Sequence, residues 1–153
     1  MPTLRRLLLV SLAAAGGLAA TSPAIAADVD PCQVLRESDV RRVLGREWKF
    51  VESVSGDAVC GYMGATNAFT TITLYYSEDG AAPILEMRRK MAADRAVPLA
   101  GPGAGAFRFA TPLANVILFG KGDWTAQLDL TLAASSDTAL LDRLAKRAYD
   151  RLP

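Results

Sequence analysis

The sequence predicts an α+β fold: an antiparallel sheet of about five to six strands, with helices packed on one face and one disulfide. Alternating apolar and polar side chains over residues 69–77 and 124–132 indicate strands of the sheet. Apolar side chains at helical spacing over residues 81–92 and 140–152 indicate the helices. Short turns between the strands favour antiparallel pairing, which gives the element order α-βββ-α-βββ-α.

One broken helix or two short helices are expected at the start of the domain, over residues 32–44. Ser38 is a plausible N-cap because Asp39 follows it in the first turn, and Gly45 supplies a stop. Three strands separated by short turns are then expected at residues 47–54, 58–63 and 69–77.

The third of these strands has two faces of different chemistry. Ile72 and Leu74 lie on one side, and Thr71, Thr73 and Tyr75 lie on the other. If helices cover the apolar side, the threonine and tyrosine side faces water, and tyrosine is common where proteins recognise partners. We therefore take Thr71, Thr73 and Tyr75 as a candidate recognition surface. The alternative is that both faces of the strand are covered.

A helix is expected over residues 81–92, with Ile84, Met87 and Met91 as its core-facing stripe. The run Arg88-Arg89-Lys90 is interpreted as a solvated helix face, with Glu86 four residues before Lys90. The remaining elements are an edge segment containing Pro98, a strand, a hairpin and a capped terminal helix. They are expected at residues 97–99, 107–109, 115–119 with 124–132, and 135–152.

The beginning of the chain has the features of a secretory signal peptide. Arg5 and Arg6 give a positive start, and an apolar run follows over residues 7–20. The alternative is a retained membrane anchor, although the run is shorter than the roughly 20 residues that span a bilayer. The paired arginines leave the export route open between the general secretory and the twin-arginine pathways.

A small-residue cleavage site closes this segment at Ala24-Ile25-Ala26. We expect cleavage after Ala26 or Ala27, which leaves a single α+β domain over residues 27–153. Cys32 does not directly follow the apolar run, so we do not expect it to carry a lipid. The mature domain is therefore expected in the periplasm or outside the cell, with no membrane attachment.

The two cysteines, Cys32 and Cys60, are the only thiols of the chain, which contains no histidine. In an exported domain this pair predicts one structural disulfide, and two unbonded thiols are the alternative. In the chain-entropy model, closing this loop stabilises the fold by about 3.5 kcal/mol. A Cys-x-x-Cys redox motif and the usual zinc ligand sets are both missing from the sequence.

Catalytic chemistry has little support in the sequence. The lack of histidine removes Ser-His and Cys-His machinery, and acidic pairs such as Glu78-Asp79 fall in predicted turns. The glycine-rich segment 101–105 lacks the Gly-Lys-Ser/Thr ending of a phosphate loop and precedes a strand, so we interpret it as a turn. We expect no catalytic residue, no cofactor and no metal site; a carboxylate-based enzyme is the alternative.

The net charge is +1 for the whole chain and falls to −1 when Arg5 and Arg6 leave with the signal segment. A nearly neutral domain has no electrostatic footprint for nucleic acid or for an anionic membrane. We therefore expect the partner to be neither.

A cysteine, a leucine, a capping serine and a helix that ends in Leu-Gly follow one another near the start of the domain. The pattern is Pro31-Cys32-x-Val34-Leu35-x-x-x-Asp39-Val40-x-x-Val43-Leu44-Gly45, with Cys60-Gly61-Tyr62 further on. It resembles the start of small exported bacterial domains of unknown function, many of them actinobacterial lipoproteins. The similarity extends over most of residues 31–152, including the Gly120-Lys121-Gly122-Asp123 hairpin. It implies the fold and the disulfide, but this family has no catalytic residues to transfer, and this chain lacks the lipidated cysteine.

These observations favour an exported, non-catalytic domain that binds a partner protein or a small ligand through its sheet face or its loops. The alternative is an inhibitor or immunity protein that inserts an exposed loop, such as residues 99–106, into the cleft of an enzyme. The sequence leaves the identity of the partner and the oligomeric state open.

Overall fold

An antiparallel sheet forms the middle of the molecule. The structure is a computed structural model that describes residues 29–65, 68–131 and 137–153. Within these ranges the strands are β1 (Lys49–Phe50), β2 (Val59–Met63), β3 (Phe69–Tyr76), β4 (Val97–Pro98), β5 (Phe107–Ala110), β6 (Ala114–Lys121) and β7 (Trp124–Thr131). The seven strands lie in the order β1-β2-β3-β7-β6-β5-β4.

The helices of the described residues are α1 (Pro31–Val34), α2 (Glu37–Leu44), α3 (Ala81–Ala92) and α4 (Thr138–Arg151). The α+β class is confirmed, and the helical segment before β1 consists of two short helices. The expected five to six strands are too few, because the edge segment at residues 97–99 pairs with β5 over two residues and forms a seventh strand, β4. A strand of two residues carries too little alternation to be recognised in the sequence.

The expectation that all helices pack on one face of the sheet is wrong. Ile117 and Phe119 of β6 belong to the main core with α1, α2 and α4, whereas Val116 and Leu118 pack in a second core with α3. Four consecutive apolar positions are therefore buried on β6. A strand that is apolar on both faces needs cover on both sides, and α3 supplies the second layer.

The apolar stripe expected on α3 is also wrong. Met87 and Met91 are 52% and 66% exposed, and the buried positions are Ala81, Leu85 and Ala92. The helix packs closely on β6 because Gly120 has no side chain: a Cβ there would lie 2.3 Å from the Cβ of Ala81. Small residues on both elements thus decide which side of α3 faces the sheet.

The first expected strand, residues 47–54, is largely replaced by a turn. Only Lys49–Phe50 pairs with β2, and Glu52–Val54 forms one 3₁₀ turn. The Ser55 hydroxyl donates to the carbonyl of Val51 at 2.8 Å and accepts the N–H of Gly61 at 3.0 Å. A side chain thereby takes a ladder bond that a longer β1 would have made.

A buried carboxylate joins α2 to α4. Ser38 is not the N-cap as expected; it lies inside α2, and the Asp39 carboxylate accepts the N–H of Arg36 at 3.3 Å. Arg151 donates to both oxygens of Asp39 at 2.5 and 3.1 Å, and Arg147 lies 3.4 Å away. Burial raises the pKa of Asp39, but these hydrogen bonds and charges outweigh it and hold the pKa below its ordinary 3.8.

The predicted disulfide between Cys32 and Cys60 is present, with Cα atoms 5.1 Å apart, and ties α1 to β2. Below it the Tyr62 hydroxyl donates to the carbonyl of Leu35. Burial raises the pKa of this hydroxyl, so it keeps its proton and remains a donor. The bond is consistent with an oxidising compartment.

The signal segment and its cleavage site at Ala26 and Ala27 lie outside the described residues. Among the helices that the structure does describe, none has the length and apolar character to cross a bilayer.

Replacing Cys32 and Cys60 together by alanine should lower the free energy of unfolding by about 3.5 kcal/mol, because the unfolded chain regains the freedom of a large loop. Urea denaturation of the oxidised and the variant proteins measures the difference. Reductant should then leave the variant unchanged. Equal midpoints for the two proteins would contradict the stabilising role of the bond.

Asp39→Asn should destabilise the fold by about 2 kcal/mol at neutral pH, because hydrogen bonds from two arginines to a charged acceptor are lost. The folded pKa is lowered, so the stabilisation is present above the unfolded pKa and disappears as pH falls through the folded value. Wild type and variant should converge below pH 3.8 in urea denaturation. Asp150→Asn, in an exposed pair with Lys146, is the matched control and should change stability by less than about 0.5 kcal/mol.

Candidate functional site

The side of the sheet that carries α3 is covered over only part of its width. The helix packs over Phe107, Val116 and Leu118, at the β5–β6 end. Towards β3 and β2 the side chains on this side are half-exposed or exposed. We call this region the open face and define it by one set of side chains on β2, β3 and β7: Met63, Thr71, Thr73, Tyr75, Gln127 and Asp129.

The pairing of β3 with β7 assembles the centre of the open face. Thr71 lies opposite Asp129, Thr73 opposite Gln127, and Tyr75 opposite Thr125. The three residues expected to form a recognition surface therefore share one side of the sheet, where all three are half-buried. On the other side of β3 the main core covers Ile72 and Leu74 completely. The side of β3 that carries Thr71, Thr73 and Tyr75 is therefore partly open, so the two sides of the strand are not both fully covered.

Gln127 and Asp129 were not among the predicted site residues. The sequence shows only that they are the polar positions of an alternating strand, and alternation does not tell which strand lies alongside. Their neighbours follow from register, which depends on the whole fold.

Asp129 is a half-buried carboxylate in the middle of the open face. Gln127 Nε2 donates to its two oxygens at 3.3 and 3.0 Å, and the Thr71 side chain also hydrogen-bonds it. Burial raises the pKa of Asp129; the hydrogen bonds from Gln127 and Thr71 and the charge of Arg88 oppose this rise without cancelling it. The group offers a strong acceptor that is only partly neutralised by its surroundings.

Arg88 borders the open face on the α3 side. Its guanidinium lies 5.2 Å from the centre of the Tyr75 ring, and its Nε is buried with no hydrogen-bond partner. It points towards the sheet because it lies on the same side of α3 as Leu85 and Ala92. The solvated-face interpretation of this basic run is thus wrong for Arg88, although it is correct for Lys90, which pairs with Glu86 at 2.7 Å in solvent.

Exposed apolar side chains lie at the other border. Met63 is 38% exposed and Val54 is 40% exposed. Val54 packs over Gly61, where an added Cβ would meet Val54 Cγ2 at 2.3 Å. Met63 and Val54 thus add apolar contact area beside the polar side chains, and methionine is enriched at protein interfaces.

A cavity of about 190 Å³ continues the open face along α3. It lies between the second half of the helix and the sheet, where Arg88 and Gln127 form part of its wall. Its remaining lining is mostly apolar and comes from α3, the turn after it, β5 and β6: Met91, Ala92, Arg95, Phe109 and Leu118.

Carboxylate pairs in the described residues do not form a deep site. Asp30 and Asp57 line a surface depression of about 250 Å³, where both are exposed and Asp30 accepts the N–H of Cys32 as a helix cap. Glu78-Asp79 lies exposed in the turn before α3. Within the described ranges no three acidic or cysteine side chains converge as a metal site requires. That the domain has no catalytic residue, cofactor or metal stays a prediction.

The loop over residues 99–106 is held against the body of the domain. Pro102 is buried, and Gly103 is so close to Tyr149 that a Cβ would lie 2.7 Å from its ring. Arg89 donates to the carbonyl of Gly105 at 2.7 Å. The exposed positions of the loop are alanines and glycines, which offer little side-chain contact to a partner.

Comparisons of the chain with protein-family models, with curated proteins and with solved structures found no match. The resemblance to small exported bacterial domains therefore stays a prediction.

The side-chain carboxyl of Asp129 should have a pKa above the ordinary value of 3.8, because burial outweighs the groups that stabilise its charge. A ¹³C NMR pH titration of the folded domain measures this value directly. Thr71→Val should raise the pKa further, since it removes a hydrogen bond to the charged form. A titration at or below the ordinary value would contradict the arrangement described for this face.

Proposed function

We propose that this protein is an exported, non-catalytic binding domain that holds a partner protein against the open face. Support comes from one arrangement: hydroxyl, amide and carboxylate groups lie at the centre of a half-exposed sheet surface, with Tyr75 and Arg88 on one border and Met63 on the other. This arrangement adds little to the stability of the fold, because a half-buried carboxylate with a raised pKa opposes folding at neutral pH.

The composition of the open face favours a macromolecule as its partner. Tyrosine, arginine and methionine are enriched at protein interfaces, and tyrosine and arginine often contribute most of the binding energy. Asp129 and Gln127 can accept and donate hydrogen bonds at the centre, where water is excluded on binding. The half-exposed surface is broad rather than deep, which suits another protein surface.

Export to the periplasm or the exterior belongs to the same proposal. The signal-like segment before Ala26 and Ala27 supports it, and so does the disulfide, which persists in oxidising compartments. An inhibitor or immunity protein remains the alternative. Its loop at residues 99–106 has less support than the open face, because its exposed side chains are small and the loop is held in place.

The proposal is tested by recovering a partner from the native exported fraction with the oxidised domain as bait. Thr73→Lys and Tyr75→Ala should each reduce recovery of that partner at least about tenfold, as loss of central interface contacts does. Ser38→Lys, which adds the same charge on exposed α2, should leave recovery unchanged. Urea denaturation confirms that each variant is folded. Met63→Lys at the border gives a second variant if Thr73→Lys does not fold.

Three results would overturn the proposal. One is a partner that all open-face variants retain equally. Another is the recovery of an enzyme whose binding is lost only when the loop at residues 99–106 is changed, which would establish the inhibitor alternative. The third is turnover of a hydrolase or oxidoreductase substrate that a single carboxylate substitution abolishes.

A further inference from the structure

A larger cavity lies at the β4–β5 edge of the sheet, and it shares Arg95 and Phe109 with the 190 Å³ cavity beside α3. Its volume is about 450 Å³, within the range of roughly 300–1,000 Å³ that is usual for small-molecule sites. Its walls come from the turn after α3, from β4, β5 and β6, and from the first turns of α4. Five separate parts of the fold therefore meet around it.

The cavity exists because β4 is short. Pairing between β4 and β5 stops at Val97 and Arg108, whereas β5 continues to Phe109 and Ala110 along β6. Among the described residues, no strand lies beside the outer edge of β5 at these last two positions, and the cavity lies there. Backbone groups on an unpaired edge are available to a ligand.

One amide on the cavity wall has no side-chain hydrogen bond to a described residue. Asn115 lines the cavity and is only 9% exposed. Among the hydrogen bonds of the described residues, none involves the Asn115 side chain. The amide lines the cavity and is not sealed from solvent, so it can donate to or accept from a polar group of a bound molecule.

The cavity wall carries two cations and one anion, and one of the cations forms no ion pair with a described residue, nor does the anion. Asp94 and Arg95 are neighbours in the turn after α3, and neither forms an ion pair within the described ranges. Arg95 uses its Nε to donate to the carbonyl of Ala92 at 3.3 Å. The other cation, Arg108, is already neutralised by Asp142 at 3.1 Å. The wall thus presents both signs of charge and almost no net charge.

The rest of the wall is apolar. Val97, Phe109 and Leu141 line it, and the guanidinium of Arg95 lies 6.0 Å from the centre of the Phe109 ring. A ligand that matches this cavity needs an anionic group, a cationic group and an apolar body of modest size. A ligand with one charge alone would leave either Asp94 or Arg95 unmatched.

We propose that this cavity binds a small apolar amino acid as the zwitterion. Arg95 receives its carboxylate, Asp94 receives its ammonium group, and the apolar side chain lies against Phe109 and Leu141. The Asn115 amide supplies a further hydrogen bond to one of the two charged groups. This binding site shares no residue with the open face, although Arg95 and Phe109 also line the 190 Å³ cavity.

The test is a ¹H–¹⁵N NMR titration of the oxidised domain with L-leucine. Saturable shifts are expected at Asn115 and at the turn that carries Asp94 and Arg95. Isoamylamine, which lacks the carboxylate, and 4-methylpentanoate, which lacks the ammonium group, should each bind at least about tenfold more weakly, because each loses a charge-assisted hydrogen bond. The proposal would be overturned if either analogue bound as tightly as leucine. It would also be overturned if leucine at about 10 mM gave no saturable shift.

Variants on the exposed turn check the assigned roles without disturbing the core. Asp94→Asn and Arg95→Met should each weaken leucine binding about tenfold. Glu78→Gln and Lys90→Met remove the same charges elsewhere on the surface and should bind leucine as wild type does. Unchanged binding in both Asp94→Asn and Arg95→Met would overturn the proposal. These variants leave the open face intact, so their outcome is independent of partner recovery through Thr73 and Tyr75.

Discussion

The pairing of β3 with β7 is the constraint on which the rest of the structure depends. Seven consecutive residue pairs, from Thr70 with Leu130 to Tyr76 with Trp124, join the first half of the chain to the second. A hydrogen bond from the Thr70 hydroxyl to the carbonyl of Asp129 spans 59 positions of sequence within this pairing. A shift of one residue would exchange the two sides of β3, which would expose Ile72 and bury Thr71. The main core and the open face are therefore two consequences of one register.

Unequal cover on the two sides of the sheet then makes one side available for binding. On one side α1, α2 and α4 are tied down by the disulfide and by the Asp39–Arg151 pair, and the core beneath them is closed. On the other side α3, with its 12 residues, covers the β5–β6 end and directs Arg88 towards Tyr75. The side chains beyond it carry polar groups whose placement contributes little to folding, and this supports binding as their role.

The sequence predicts those features that depend on local pattern. Alternation identifies β3 and β7, and helical spacing with a proline in the first turn gives α3 the bounds Ala81–Ala92 that the structure has. The signal-like segment at the start of the chain and the presence of two cysteines together predict the Cys32–Cys60 disulfide. The side of β3 that carries Thr71, Thr73 and Tyr75 was identified in the same way, from a period of two residues.

Features that depend on tertiary contacts could not be predicted in this way. Which side of α3 faces the sheet is decided by the close approach of Ala81 to Gly120, so the methionine stripe was a wrong prediction. The length of β1 is decided by a side-chain bond from Ser55. Gln127 and Asp129 became site residues only through register. The 450 Å³ cavity arises because β4 ends early, and the residues that line the cavity show no sequence pattern that predicts this end.

The most direct measurement of the central claim is photo-crosslinking in intact cells. A photo-reactive amino acid at position 73 places the reactive group on the open face, and one at position 38 places it on exposed α2. A discrete crosslinked adduct is expected from position 73 and none from position 38. Adducts from position 38 alone, or from a probe at position 104 in the loop alone, would contradict binding through the open face.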